Sequence, residues 1–285
     1  MMSECYSVLD LGLDETVEIL NRGFSDYIVP IRFDLAGWLH MVFGDGIDLG
    51  SSRVLVRDGT PVGCALIAQR GWSSRLAAMA VVPEARGQGV GRALMDRVIE
   101  EARARGQQRM VLEVIESNDV AVRLYRGCGF QVVRRLVSYL LNAGQAGEAG
   151  DLGDVDPREV ARMVTVHGLP DMPWQISGES LVHLGPPNRG VRLDRAYALI
   201  SDPEREQIGI RALVVERGAP EREQAVRLLR ALIARYPGKG WRVPALLPEE
   251  LGGPFEAVGF VRGELAQLQL LLGLSSRGVE SLSSS

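Results

Sequence analysis

The chain has 285 residues, 46% hydrophobic and 24% charged, with a formal net charge of −4. Two domains of ordinary size fit that length, and the composition is that of a globular protein able to bury a core. The acidic balance gives no electrostatic case for nucleic acid, and no apolar run is long enough to cross a bilayer, so neither partner is expected.

In chain order, Leu11 to Gly23 and Phe33 to Phe43 carry apolar residues at helical spacing. Arg53 to Gln69 reads as a β-hairpin turning on Asp58-Gly59, a pair that tolerates the positive φ of a two-residue turn. Ser74 to Val82 reads as a strand. Gly91 to Arg105 reads as a helix with Leu94, Val98, Ile99 and Ala102 on one side. Arg109 to Ile115 is a further strand, Asn118 to Arg126 a short helix, and Phe130 to Leu141 strand again. Asn142 to Asp154, "NAGQAGEAGDLGD", is small, polar and glycine-rich, as an interdomain linker would be. Ser275 to Ser285 lacks apolar residues to bury and reads as a frayed tail. The mix of helices and strands places the chain in the α/β (α+β) class.

No signal segment is expected at the N-terminus. Cys5, Cys64 and Cys128 are odd in number and scattered, which points to a reducing, cytoplasmic location. His40, His167 and His183 are isolated, with no spacing that suggests zinc, so no metal is expected.

The stretch "VVPEARGQGVGRALM", residues 81–95, raises the chemical question. A helix start leaves main-chain N–H groups unpaired and carries partial positive charge, so it favours anions. Glycines allow a phosphate to reach those amides, and Arg86 adds a cation. The pattern alone serves equally well as a tight strand-to-helix turn with no ligand. There is no G-K-S/T for a Walker-type site, and a dinucleotide fingerprint would need a glycine where Arg92 stands. Glu113, about twenty positions on, weakens that objection without removing it.

Arg86-x-x-Gly89-x-Gly91, followed by N-x-x-A-x-x-L-Y-x-x-x-G-F from Asn118 to Phe130, closely resembles the GNAT superfamily of acetyl-CoA-dependent N-acetyltransferases. The resemblance is good over residues 50–140 and loose before that. It implies a mixed, mostly antiparallel splayed sheet flanked by helices, with acetyl-CoA as cosubstrate. It also implies that Arg86, Gly87, Gln88, Gly89, Val90, Gly91 and Arg92 cradle the pyrophosphate. Met79, Ala80 and Val81 would pair with the pantetheine arm. Asn118 would help bind CoA, cap its helix, or both, since Asn is a favoured N-cap.

By the same resemblance Tyr125 is the general acid, a phenol that stays protonated at neutral pH and can give its proton to a departing thiolate. Its rival role is plain packing beside Leu124. Glu113 interrupts the apolar strand "MVLEVI" and is the candidate base. Its separation from Tyr125 is similar to that of the proton-accepting glutamate in the ribosomal-protein-alanine N-acetyltransferases. Against this stand an outward-facing or edge-strand glutamate that contacts solvent or an arginine, and proton loss through water and backbone as in many members of that superfamily. Asp26, Asp34, Asp45 and Asp48 near the expected acceptor entrance would either draw an ammonium-bearing substrate or form a solvated face. Tyr27, Phe33, Trp38 and Phe43 read as core or pocket wall.

The second half repeats the plan weakly. "IGIRALVVERGAPEREQAVRLLRALIARYPGKGWRVPALLP" is strand, break, long helix, turn, strand, and "PFEAVGF" aligns with "LYRGCGF". The separation from Val214 to Gly259 is close to that from Val81 to Gly129. Its loop carries one glycine, a proline and three glutamates, which suit a helix start but repel pyrophosphate. Phe255 stands where the acid tyrosine would be.

The expected organisation is therefore a catalytic GNAT domain over 1–143, a linker over 144–154, a degenerate GNAT-like domain over 155–274 and a tail. The second domain would complete the acceptor site, hold the first, or pair chains into a homodimer. The expected activity is acetyl transfer to a primary amine of a small molecule or peptide N-terminus. The alternative is a non-catalytic acetyl-CoA-binding sensor or scaffold.

Overall fold

The computed structural model describes residues 3–29, 31–143 and 150–274. Residues 144–149 of the expected linker and the expected tail at 275–285 lie outside them. Among the described residues the chain forms two compact units. One lies within Met1–Val114, Asn118–Val133 and Leu270–Ser285, and the other within Ile115–Ser117 and Arg134–Gln269. The architecture is mixed α/β, a mostly antiparallel sheet flanked by helices.

In the first unit β1 (Ser3–Ser7) leads into α1 (Val8–Leu11), α2 (Leu13–Gly23) and α3 (Leu35–Asp45). Then come β2 (Ile47–Arg57), β3 (Thr60–Arg70), β4 (Ser73–Val81), α4 (Val90–Ala104), β5 (Arg109–Ile115) and α5 (Asp119–Gly127). The strands lie side by side in the order β1-β2-β3-β4-β5. The expected hairpin turns at Asp58 and Gly59, with φ of 47° and 77°, and pairs Arg57 with Thr60. Leu94, Val98 and Ala102 on α4 are fully buried. Each such apolar side chain contributes roughly 1.5–3 kcal/mol if it is Val- or Leu-sized, so this face fixes α4 against β2 and β3.

β4 and β5 run parallel but pair only at Ser73–Arg109, Ser74–Met110 and Arg75–Val111, and then part. On its other side β4 stays paired with β3 as far as Val81. The two strands therefore open a cleft between them, starting just after Arg75.

The second unit takes β6 (Gln131–Leu141) from Arg134 onward, β7 (Gly153–Val155), α6 (Pro157–His167), α7 (Gly178–Leu181), β8 (Arg189–Leu193) and β9 (Ala196–Ile200). β10 (Gln207–Val215), α8 (Glu221–Arg235), β11 (Gly240–Pro248), α9 (Gly253–Ala257) and β12 (Val261–Gly273), the last as far as Gln269, complete the order. β10 and β11 are again parallel over three pairs, Gln207–Gly240, Ile208–Trp241 and Gly209–Arg242, before they part. Each unit also carries an irregularity opposite the strand's inner neighbour, after Leu66/Ile67 in one and at Ile210/Ala212 in the other. Phe130 N donates to Tyr125 O at 3.1 Å and Phe260 N to Phe255 O at 3.0 Å, with Gly129 and Gly259 at φ of 94° and 92°. The repetition thus extends to single hydrogen bonds. It also shifts one correspondence: β10 closes on Val215 as β4 closes on Val81.

Candidate active site

The glycine run forms the turn into α4. Gly87 and Gly89 hold φ of 71° and 79°, a region costly for other residues, and a side chain on either would meet open space. Gly91 has a different reason. A Cβ there would stand 3.1 Å from Leu124 Cδ2 and 3.7 Å from Met79 Cε, so its bareness lets α4, α5 and β4 converge.

No side chain caps α4. Ala93 N donates to Gly89 O, which leaves the amides of Val90, Gly91 and Arg92 without an intrahelical acceptor. That is the ready-made anion site of a helix start.

The strand edge leading to this loop is open as well. Val82 N donates to Val62 O, so by the two-residue alternation of an antiparallel pair Ala80 faces β3 while Met79 and Val81 face away. Beyond Arg75, β5 pairs with none of them. Of the three residues expected to meet an extended ligand, Met79 and Val81 turn their main-chain groups away from β3 and Ala80 does not, the Val81 carbonyl being taken by Arg86 Nε.

Arg86 does not point at the expected anion. Both its Nη atoms lie 2.7 Å from the Asp26 carboxylate, Nη2 also donates to Gly23 O, and Nε reaches Val81 O at 3.2 Å. It braces the loop against the end of α2. Two other cations stand by the loop. Arg57 donates to Gln88 O at 2.9 Å and to Gln88 Oε1 at 3.0 Å. Arg92 is paired with Asp96 at 2.8 Å and reaches Gly127 O.

Asn118 is the N-cap of α5, accepting from Ala121 N at 3.2 Å, and its side chain is also hydrogen-bonded to Tyr27. Tyr125 is buried, its ring set edge-on to Phe130 at 6.1 Å. Burial first, and then the neighbouring Tyr27 and Cys128, push its pKa well above the ordinary tyrosine value. The phenol therefore keeps its proton through neutral pH. Burial likewise raises Tyr27.

Glu113 is only 2% exposed and lies 2.7 Å from Arg75 Nε, while Arg75 Nη1 lies 2.9 Å from Asp45. Burial alone would strip charge from Arg75, but the two carboxylates more than offset it and hold its pKa up. This group closes the cleft where β4 and β5 part.

The aspartates expected to draw an ammonium are occupied within the fold. Asp26 holds Arg86, Asp34 accepts from Gly37 N as the cap of α3, Asp45 holds Arg75, and Asp48 accepts from Ser51 N. Of the four expected wall aromatics, Trp38 is core and Phe43 is exposed, whereas Tyr27 stands in the site.

Residues 14–130 match the acetyltransferase (GNAT) family. Over 129 residues, the chain is 35% identical to N-alpha-acetyltransferase 30 of Schizosaccharomyces pombe (strain 972 / ATCC 24843), covering 45% of this chain and 80% of that protein. The chain belongs to the GNAT acetyltransferase family. It is also 35% identical over 89 residues to streptothricin acetyltransferase of Streptomyces lavendulae, covering 30% of this chain and 47% of the relative. The chain thus spans about half the length of that relative. A tandem GNAT protein from the clavulanic acid biosynthesis pathway shares the fold at a TM-score of 0.63 and 14% identity, covering 96% of this chain and 99% of that one. The GNAT motif residues Gly89, Gly91, Asn118 and Tyr125 fall in one neighbourhood, joined where Leu124 and Met79 meet over Gly91. Tyr27, Arg57 and Arg75 belong to it too, and no local pattern in the sequence marks them.

Proposed function

We propose that the first unit moves an acetyl group from acetyl-CoA directly to a primary amine, carried by a small molecule or a peptide N-terminus. What carries this reading is the convergence in one unit of an uncapped helix start, an open strand edge and a buried, protonated phenol. The free amides of Val90, Gly91 and Arg92 suit the pyrophosphate, and Met79 and Val81 suit the pantetheine amides. When bound, acetyl-CoA supplies the thioester.

The amine nitrogen bonds to the thioester carbonyl carbon, the C–S bond breaks, and the sulfur takes the Tyr125 proton. Tyr125 recovers it from the proton that the amine loses. Glu113 is engaged by Arg75 Nε at 2.7 Å in a buried ion pair where β4 and β5 part. The amine proton therefore leaves through water, and Glu113 serves to hold Arg75 at the root of the cleft. The acceptors that the relatives' names give, streptothricin in one and an N-alpha position in another, support an amine acceptor and leave its identity to experiment.

Thiol release from acetyl-CoA, followed against a panel of amines and peptides, tests the proposal. Amine-dependent release is expected. Saturable acetyl-CoA binding with no release above the rate without acceptor would replace it with the sensor reading.

A further inference from the structure

The second unit contains a cleft of its own. Where β10 and β11 part, a cavity of about 570 Å³ opens, walled by Val164, Met172, Val243, Leu247 and Phe255. Glu216 N donates to Arg195 O, so the alternation along β10 turns Val214 and Ala212 toward β9 and leaves the main-chain groups of Leu213 and Val215 facing away from it, into the cleft. These are the counterparts of Val81 and Met79. An apolar slot with two residues' worth of unpaired N–H and C=O groups along one wall fits an extended chain that carries secondary amides.

The end of the cleft has changed character. Between β10 and α8 the connection runs only from Glu216 to Pro220, whereas Val82 to Gly89 link β4 and α4. Two of the glutamates there, Glu221 and Glu223, sit in the first turn of α8, where α4 has no acidic residue. They already satisfy the positive helix end and repel a phosphate. Around the cleft Arg211 and Arg222 stand against Glu221, Glu250 and Glu256, so no cationic excess favours a phosphate. Phe255, with no proton to give, replaces the acid.

We infer that this cleft is a second binding site, for an uncharged extended chain of secondary amides with apolar flanks and no phosphate. Two sources share that chemistry, a short apolar peptide segment and a pantetheine arm free of its nucleotide. Leu213 and Val215 hold the amides, the apolar walls hold the flanks, and the ligand is retained without reacting. The inference goes beyond the acetyl-transfer reading and does not depend on it.

The test follows amide resonances of the full isotope-labelled chain during titration with pantetheine, with an N-acetylated and C-amidated valine-rich tripeptide, and with CoA. Saturable shifts at Leu213 and Val215 with either of the first two are expected, and the probe that produces them identifies the source. CoA is expected to bind there at least about tenfold more weakly, and to shift Met79 and Val81 instead. Leu213→Pro removes an N–H aimed into the cleft and spares the bonds to β9, so the Val215 shift should vanish. Gly253 lines the cleft, and a Cβ there would meet open space, so Gly253→Phe adds bulk at the cleft wall and should abolish binding even if Leu213→Pro misfolds. No shift at Leu213 and Val215 with either neutral probe, or CoA binding there as tightly as pantetheine, overturns the inference. Failure of CoA to shift Met79 and Val81 would count against the acetyl-transfer reading alone.

Discussion

Arg75 Nε stands 2.7 Å from Glu113 Oε2 with both side chains nearly excluded from solvent, at the point where β4 and β5 separate. Breaking a buried pair by removing one partner costs about 3–5 kcal/mol, whereas replacing both with apolar groups is often neutral. Glu113→Leu alone should therefore lower the midpoint of thermal unfolding markedly, and replacing the whole group, Arg75→Met with Glu113→Leu and Asp45→Asn, should recover most of the loss. Catalysis separates the two roles of Glu113. A proton acceptor lost in Glu113→Gln would abolish the acidic limb of the kcat profile, whereas the positioning role predicts that the limb persists with kcat lowered throughout. A vanished limb would restore Glu113 as the base.

Tyr125→Phe removes the proton donor while keeping the ring against Phe130. Turnover should fall by about 100- to 10,000-fold, the usual contribution of general acid catalysis, with KM for acetyl-CoA almost unchanged. The sign of the pKa shift gives a second check. Because burial raises Tyr125, its acid form persists as pH rises, so wild-type kcat should hold through the ordinary tyrosine range near 10. A kcat that declines well below that pH in the wild type and in Tyr125→Phe alike would assign the acid elsewhere, with Tyr27 the nearest phenol.

Much of this was legible in the sequence, for reasons the structure makes plain. α4 and β5 carry strong periodicity over a full element, and their predicted bounds fall within one residue of those observed. The glycine run and the Asn118–Phe130 motif were readable because their chemistry is local: a turn, a helix start, a cap. β1 (Ser3–Ser7) was missed because its strand character comes from a partner, Arg53 to Arg57 on β2, and not from five residues of its own. The β8–β9 hairpin passed unread for the same reason. The partners of the acidic residues are not legible in the sequence because they are set by tertiary contacts: Asp26 meets Arg86 sixty positions away, and Glu113 meets Arg75. Burial turned Arg75 and Tyr27 into site residues, and burial cannot be read from one position.

The two reasons for glycine separate in a pair of variants. At Gly89 a side chain meets open space but needs a left-handed conformation, which costs roughly 1–2 kcal/mol. Gly89→Ala should therefore lower stability by that order and weaken acetyl-CoA binding modestly, while Gly89→Asp adds repulsion of phosphate and should raise KM far more. At Gly91 the helical conformation suits alanine, but the new methyl presses on Leu124, the neighbour of Tyr125. Gly91→Ala should thus lower kcat more than affinity. Titration calorimetry and steady-state kinetics on the two alanine variants decide the matter, and identical effects on KM and kcat would refute the division of roles.

Tyr139 ties the stability of the second unit to alkaline pH. Its hydroxyl donates to Glu256 at 2.7 Å, its ring stacks on Phe255 at 5.8 Å, and Gly252 leaves room for the hydroxyl, since a Cβ there would collide with it. Burial, followed by the hydrogen bond and charge of Glu256, pushes the phenol up from 10.0 to about 12. A folded-state pKa above the unfolded one means that the stabilisation is fully present below about 10, and it is lost as pH rises toward 12. Unfolding free energy from denaturant titrations should accordingly fall across that window in the wild type. Tyr139→Phe should be less stable at pH 8 for want of the hydrogen bond, with a shallower decline above 10, so that the two curves converge under alkaline conditions. Parallel curves would show that the Tyr139 phenol titrates as it does in the unfolded chain.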